Sequence, residues 1–446
     1  MKTQILLDHE KSIDGAAYIV RALLRIHGDP PADTARVPLG VALVLDRSGS
    51  MSGAPLARAK EAAALLVRRL APEDVVSVVA YDHEVHTIAE PATGEAQADL
   101  VHRIGAITSG GMTNLSGGWL RGRDLVALDA REVASRRIIL LTDGLANVGI
   151  TDPEILVGLC AKAREQGIRT TTIGFGRDYD EVLLRRMADA GGGSMYYIER
   201  PDQAPAVFAE EIGGLLSLSA QNLSVEVRPA AAAELAVVHH AYPRQTLDDG
   251  VRLEIGDLYA REPRHLLVEF LVTADDSEAE VEIAELTVTA HVVKTGGSIE
   301  RQEIRLPIRA SLAAGPRVDP EVRRELLLQE AARAREEAYR AHRRGDDAAA
   351  GAVLREAALE LRDFDRDDAA LAEEVADLEA MARLFEDGAA CEADTKYLFQ
   401  RSYATTRSRR GTAPLPRSSG ERRAADRRPD DQLRGAEPPN RSSGER

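Results

Sequence analysis

Between about Val37 and Ser217, short aliphatic runs alternate with amphipathic segments, a pattern that leaves a chain few ways to fold. The runs read "VALVLD", "VVSVVAYD", "EVHTIAE", "RRIILLTD", "RTTTIGFG" and "SMYYIER". Between them lie "APLARAKEAAALLVRRL", "QADLVHRIGAI", "LSGGWLRGRDLVALDA", "DPEILVGLCAKAREQG" and "DEVLLRRMADAG", apolar at helical spacing. Strands aliphatic at nearly every position must be covered on both faces, and helical connections between them cross over in the right-handed sense. The expectation is an α/β domain over 37–217, with a doubly wound, mostly parallel, Rossmann-like sheet. "VVSVVAYDHEVHTIAE" is the exception, since its two runs are close enough for a hairpin and predict one antiparallel edge strand.

The flanks follow other periods. From 218 to 315, segments such as "LSVEVRP", "GVRLEIGDL", "HLLVEFLVTA" and "RQEIRLPIRA" alternate apolar and polar residues, with turns at "DDG", "ADDS" and "TGG". This predicts an antiparallel β-sandwich. Residues 1–36 read as an extended arm that completes the sandwich, although "AAYIVRALLRIHG" fits a strand or a short helix equally by periodicity. "GDPPADTARVP" then separates the arm from the α/β domain. Residues 316–402 predict a small α-helical hairpin region, with a Gly stop and an Asp cap in "RRGDD". It is either a partner-docking element or a domain packed on the sandwich. Residues 403–446, rich in Arg, Ser, Gly and Pro and containing "RSSGER" twice, predict a disordered basic tail.

The chain has 446 residues, 44% of them hydrophobic, and a formal net charge of −16. An acidic surface argues against a general nucleic-acid binder, which needs a cationic face to neutralise phosphates. Cys160 and Cys391 belong to no metal-binding spacing, and Cys160, inside a helical pattern, reads as core filling. The opening "MKTQILLDHEKSIDG" is too short in apolar length for a signal peptide, and no run approaches the roughly 20 apolar residues of a membrane span. A cytoplasmic protein is expected.

In an open parallel sheet, ligands bind beyond the carboxyl ends of the strands. After the first strand, "DRSGSM" places Asp46, Ser48 and Ser50 there; after "RRIILLT" comes Asp143; and "SGGMTNLSGG" supplies Thr113 between glycines. Two carboxylates and three hydroxyls form an oxygen-only donor set suited to a hard divalent cation: Mg2+ first, with Mn2+ or Ca2+ as alternatives. The bland readings are that Ser48 and Ser50 cap the helix near Ala54, that Asp143 with Gly144 makes a turn, and that Trp119 packs in the core. His239 and His240 are adjacent in a strand pattern, so alternation points them to opposite faces and a structural role is expected for each. The acid-dense "VTADDSEAEVE" lacks EF-hand spacing and reads as a solvated turn. No GxxxxGK[ST], GxSxG or HExxH motif occurs.

"DRSGSM", "MTNLSGG" and "LLTDG", in that order, resemble the metal-ion-dependent adhesion site of von Willebrand factor type A domains. The resemblance implies that Ser48, Ser50 and Thr113 reach the metal, that Asp46 and Asp143 act largely through water, and that a Glu or Asp of a protein partner completes the coordination. With a sandwich following, the domain order resembles bacterial relatives of calcium-activated chloride channel regulators and inter-alpha-trypsin inhibitor heavy chains. The expected function is a divalent-metal-dependent protein-binding adaptor or scaffold without enzymatic activity. The second reading is an accessory subunit of an ATPase-driven assembly. A metal-dependent hydrolase is the third, and it lacks a general base, because Asp46 and Asp143 are already committed to the ion.

Overall fold

The computed structural model describes residues 1–408 apart from 14, 30–37, 94–96, 129–134, 177, 261, 274–279, 295–297, 313–314 and 365–367. Most of "GDPPADTARVP", the "ADDS" and "TGG" turns, the core of the acid-dense segment and nearly all of the expected tail lie outside the described residues.

The chain starts with β1 (Lys2–Lys11) and β2 (Tyr18–His27), which pair antiparallel. The α/β unit follows in the order β3 (Leu39–Asp46), α1 (Ala54–Arg69), β4 (Val75–Tyr81), β5 (Val85–Thr93), α2 (Gln97–Gly105), α3 (Leu115–Leu128), β6 (Ser135–Thr142), α4 (Pro153–Glu165), β7 (Ile168–Phe175), α5 (Glu181–Ala190), β8 (Gly192–Ile198) and α6 (Ala204–Leu216). Its sheet runs β5-β4-β3-β6-β7-β8, parallel throughout except for the edge strand β5, which pairs antiparallel with β4. Strands β3, β4 and β7 are buried at every position, as a sheet covered on both faces requires. Helices α1, α2 and α6 build the core on one face, and α3, α4 and α5 the core on the other. Trp119 and Cys160 lie fully buried in the second core, and the Trp119 indole donates to Thr170 Oγ1 at 3.1 Å.

The chain then returns through β9 (Leu218–Pro229), β10 (Ala233–Val238), β11 (Arg244–Leu247), β12 (Gly250–Tyr259), β13 (Arg264–Val272), β14 (Val281–Val293) and β15 (Ile299–Ala310). These join the amino-terminal strands in two antiparallel sheets, β1-β2-β13-β10 and β11-β12-β9-β14-β15, with one apolar core between them. The α/β unit is thus inserted between two parts of the sandwich. The ambiguity of "AAYIVRALLRIHG" has a physical cause. Val20, Ala22 and Leu24 of β2 face the sandwich core, while Leu23 packs outward against Val322 and Leu326, so both faces are apolar and the strand period is lost.

Four helices among the described residues follow: α7 (Pro320–Arg343), α8 (Asp347–Phe364), α9 (Ala369–Glu386) and α10 (Glu392–Thr406). The hairpin read from sequence is the α7–α8 pair, and α10 runs past the boundary expected at 402. Its extension is held by contacts across the molecule: Tyr403 joins the α3–α5 core, Arg407 pairs with Asp189, and the Ser408 hydroxyl lies 3.3 Å from the Tyr242 hydroxyl. Buried Lys396 of α10 donates to Tyr179 O at 2.8 Å and pairs with Glu181 at the start of α5. Among the described residues, no helix is long and apolar enough to cross a membrane.

The sandwich meets the α/β sheet near the amino ends of its strands. Arg137, early in β6, donates to Asp257 Oδ2 at 2.6 Å, and Arg169, early in β7, lies 3.1 Å from Asp257 Oδ1. That contact leaves the carboxyl ends of the parallel strands at the far side of the sheet.

Candidate metal centre

Asp46 is the last residue of β3, and its carboxylate is fully buried and spoken for on both oxygens. Oδ1 accepts from the Ser48 backbone N–H at 2.8 Å, and Oδ2 accepts from the Thr142 hydroxyl, at the end of the neighbouring β6, at 2.7 Å. Ser48 and Ser50 then stand on a single 3-10 turn (Gly49–Met51), with their hydroxyls 3.1 Å apart. Neither caps α1, whose N-cap is Gly53. The Ser50 hydroxyl instead donates to Asp143 Oδ1 at 2.8 Å, across 93 residues of sequence. Thr113 is beside them, since a Cβ built on Gly144 would lie 3.1 Å from Thr113 Oγ1 and 3.9 Å from Ser50 Oγ. Asp46, Ser48, Thr113 and Asp143 are all buried, and Ser50 is exposed at the mouth.

Burial pushes the Asp46 carboxyl up from its ordinary value, against the hydrogen bonds it accepts. Asp143 is pushed up to about 6, first by burial and then by the charge of Asp46, with the Ser50 hydroxyl opposing. Among the described residues, no Lys or Arg pairs with either carboxylate, and no three His, Cys, Asp or Glu side chains group as a metal site. The donors gathered here are instead two carboxylates and three hydroxyls, all oxygen, with uncompensated negative charge. That set fits a hard divalent cation.

The sequence did not reveal what holds the Thr113 loop. Asp82, which follows β4, is 1% exposed and serves as its anchor. Its Oδ2 accepts from Gly111 N at 2.9 Å and lies 3.0 Å from Arg47 Nη2, while Oδ1 accepts from Glu84 N at 2.8 Å. The Asp82 carbonyl also accepts from Asn114 N at 2.8 Å. The approach is so close that a Cβ on Gly110 would fall 1.8 Å from Asp82 Oδ2, which explains the glycine. Burial raises the Asp82 carboxyl, but the two backbone donors and Arg47 outweigh it and hold the group below its ordinary value. On the other side, Thr113 N donates to Asn147 Oδ1 at 2.9 Å, and Thr113 O accepts from Asn147 N and Val148 N at 3.2 Å. Strand-end aspartates followed by polar or glycine residues are the one signal that could have pointed to Asp82.

His239 and His240 do not follow strand alternation, because β10 ends at Val238. Both turn toward α7. His239 Nδ1 is 3.2 Å from Arg333, and His240 Nε2 is 3.2 Å from Glu325 and from Gln329. They join the sandwich to the helical region, far from the cluster at the sheet edge.

Residues 41–210 match the family described as von Willebrand factor type A domain. An uncharacterized protein of Synechocystis sp. is 30% identical over 274 residues, covering 59% of this chain and 64% of that protein. Inter-alpha-trypsin inhibitor heavy chain H3 of Pongo abelii is 31% identical over 192 residues, covering 41% of this chain and 22% of its own length. The chain therefore spans less than two thirds of either relative. The structure of a von Willebrand factor type A protein from Catenulispora acidiphila superposes with a TM-score of 0.70 at 18% identity, covering 92% of this chain and 97% of that one, a likeness of fold across all three parts. The parallel sheet inserted between the two parts of the sandwich is a von Willebrand factor type A domain.

Proposed function

We propose that this chain is a protein-binding module whose grip depends on a divalent cation, Mg2+ before Mn2+ or Ca2+, and on an acidic residue of the partner. The observation that carries this reading is the convergence of Ser48, Ser50 and Asp143: the two serine hydroxyls of one turn lie 3.1 Å apart, and Ser50 donates at 2.8 Å to Asp143 on a loop 93 residues away. Ser48, Ser50 and Thr113 would hold the cation directly; Asp46 and Asp143 would supply the negative charge around it. Once bound, such an ion offers an electrophilic position to an outside carboxylate. Asp46 serves mainly as a support, because Ser48 N and Thr142 occupy both its oxygens and fix the serine turn against the sheet. Asp143 takes the Ser50 hydroxyl on Oδ1, and with both carboxylates set around the cation the arrangement favours binding over turnover.

The test is affinity capture from the native cell with wild type and Asp46→Ala in parallel, each with Mg2+ and with EDTA. Partners retained by wild type in Mg2+ and lost in the other three conditions support the reading. Equal recovery in all four overturns it.

A further inference from the structure

Two of the most exposed large apolar side chains sit beside the candidate metal centre. Met112, 58% exposed, precedes Thr113, and Leu145, 57% exposed, lies two residues after Asp143. Isolated exposed apolar residues are ordinary on a protein surface. This pair is different because the backbone beneath each is pinned. Gly111, just before Met112, is held by Asp82 Oδ2 and by the Gly49 N–H, which donates to its carbonyl at 2.9 Å. Thr113, just after it, is tied to Asn147 and Val148, and Leu145 lies on the same short stretch as Asn147. The two loops are therefore fastened to each other, so the spacing of Met112 and Leu145 is set before any partner arrives, which lowers the ordering cost of contact.

We propose that Met112 and Leu145 form an apolar rim that selects a partner segment in which the acidic residue is flanked by a large apolar side chain. The inference rests on the cation site proposed above. The chemistry of the edge argues for this occupant. A cation among Asp46, Asp143 and three hydroxyls calls for a carboxylate, and Met112 and Leu145 add apolar area to an edge whose charged groups are Arg47, His83 and Asp178. A charged neighbour of the partner acid that landed on Met112 or Leu145 would be desolvated without a counter-charge from either side chain. A Leu-, Met- or Phe-like neighbour instead buries apolar surface on both sides.

The test pans a phage library of nine-residue loops with a fixed central Glu and random flanks on the full chain in Mg2+, eluting with EDTA. Enrichment of a large apolar residue within two positions of the Glu supports the proposal. So does roughly tenfold weaker binding of a recovered peptide to Met112→Ser/Leu145→Ser, the size expected from losing two partly buried apolar contacts, with binding kept in Met112→Leu/Leu145→Met. EDTA-eluted clones with no apolar preference, or a serine variant that binds them like wild type, overturn the rim and leave the cation site standing. If wild type and Asp46→Ala retain the same clones through the EDTA step and release them only in a following acid wash, the cation site falls and the rim with it.

Discussion

Asp257→Asn should uncouple the sandwich from the von Willebrand factor type A domain, and its cost follows from the contacts. The Asp257 side chain is 2% exposed, between Arg137 at 2% and Arg169 at 6%. It takes a 2.6 Å hydrogen bond from the first and a 3.1 Å ion contact from the second. Asparagine keeps the shape, but its amide oxygen can serve only one guanidinium and its NH2 group presents hydrogens to the other. Removing one partner of a buried ion pair costs about 3–5 kcal/mol. The lower end applies, because Arg137 keeps Glu211 at 3.5 Å and Arg169 keeps Gly192 O at 2.9 Å and Asn222 Oδ1 at 2.6 Å.

Trp119 makes the measurement local. It is the only tryptophan in the sequence, and its indole bonds Thr170, the residue after Arg169. Urea unfolding followed by its fluorescence therefore reports the domain beside the joint, which matters in a chain whose parts need not unfold together. With a slope of about 2 kcal/mol per molar urea, a loss of about 3 kcal/mol lowers the midpoint by about 1.5 M. Glu254→Gln is the control. Its pair with Arg164 at 2.6 Å is roughly a quarter exposed on each side, so the shift should stay within about 0.5 kcal/mol, or about 0.25 M. An Asp257→Asn midpoint no lower than that of Glu254→Gln would refute the claim that this buried carboxylate joins the two parts.

Asp82→Asn should loosen the loop carrying Thr113, because the amide cannot accept from Gly111, Glu84 and Arg47 together; the expected result is roughly tenfold weaker Mn2+ binding by electron paramagnetic resonance, about the loss of one charged hydrogen bond. Glu325 is held well below the usual carboxylate range, since burial raises it but hydrogen bonds from His240 and His265 prevail. A depressed carboxylate gives its full stabilisation above its ordinary 4.5 and loses it as pH falls through the folded value, so Glu325→Gln should flatten the fall of stability below about pH 4.5, measured by thermal denaturation at successive pH values. Burial pushes the Cys160 thiol up to about 12, which predicts that Ellman's reagent at pH 8 leaves Cys160 unmodified in the folded protein and labels it in urea, read by peptide mass.

The α/β unit was legible because its strands are buried on both faces and its helices on one, and each condition leaves a period in the sequence. The hairpin β4–β5 was legible from its spacing. Helix α10 was not, because its burial is supplied from outside: Phe399 and Tyr403 pack into the α3–α5 core, and Lys396 reaches Glu181 across 215 residues. No local pattern encodes such a partner. At the sheet edge, the meeting of the serines and aspartates of "DRSGSM" and "LLTDG" was readable because strand ends in a parallel sheet converge. Asp82, Arg47 and Asn147 were not, since their work is to hold the backbone of a loop that the sequence shows only as glycines.

The division of labour between the two ends of the sheet bears on how such a module can work. At the amino ends, Arg137, Arg169 and Asp257 are nearly inaccessible, and an ion pair buried this way resists small displacements, because any opening exposes charges without hydrating them fully. At the carboxyl ends, Thr113 donates its N–H to Asn147 Oδ1 and accepts at its carbonyl from Asn147 N and Val148 N, while Gly111 donates to the Asp82 carboxylate, contacts worth roughly 1 kcal/mol each for the neutral bonds and about 1.5–3 kcal/mol for the charged one. Rearrangement on binding is therefore cheaper at the candidate metal centre than at the joint. A partner that shifts the Thr113 loop also acts on Asp82, and through Arg47 on the serine turn, before any strain reaches the sandwich. The helical region couples differently: Lys396 and Tyr339 both contact Glu181 at the start of α5, so movement of α5 is resisted by α7 and α10 together. Adaptation to a partner should accordingly be confined to the loops at the sheet edge while sandwich and helices move as one body. Hydrogen exchange with and without a bound acidic peptide can test this, with changes expected over 108–114 and 143–148 and none in β12 or α10.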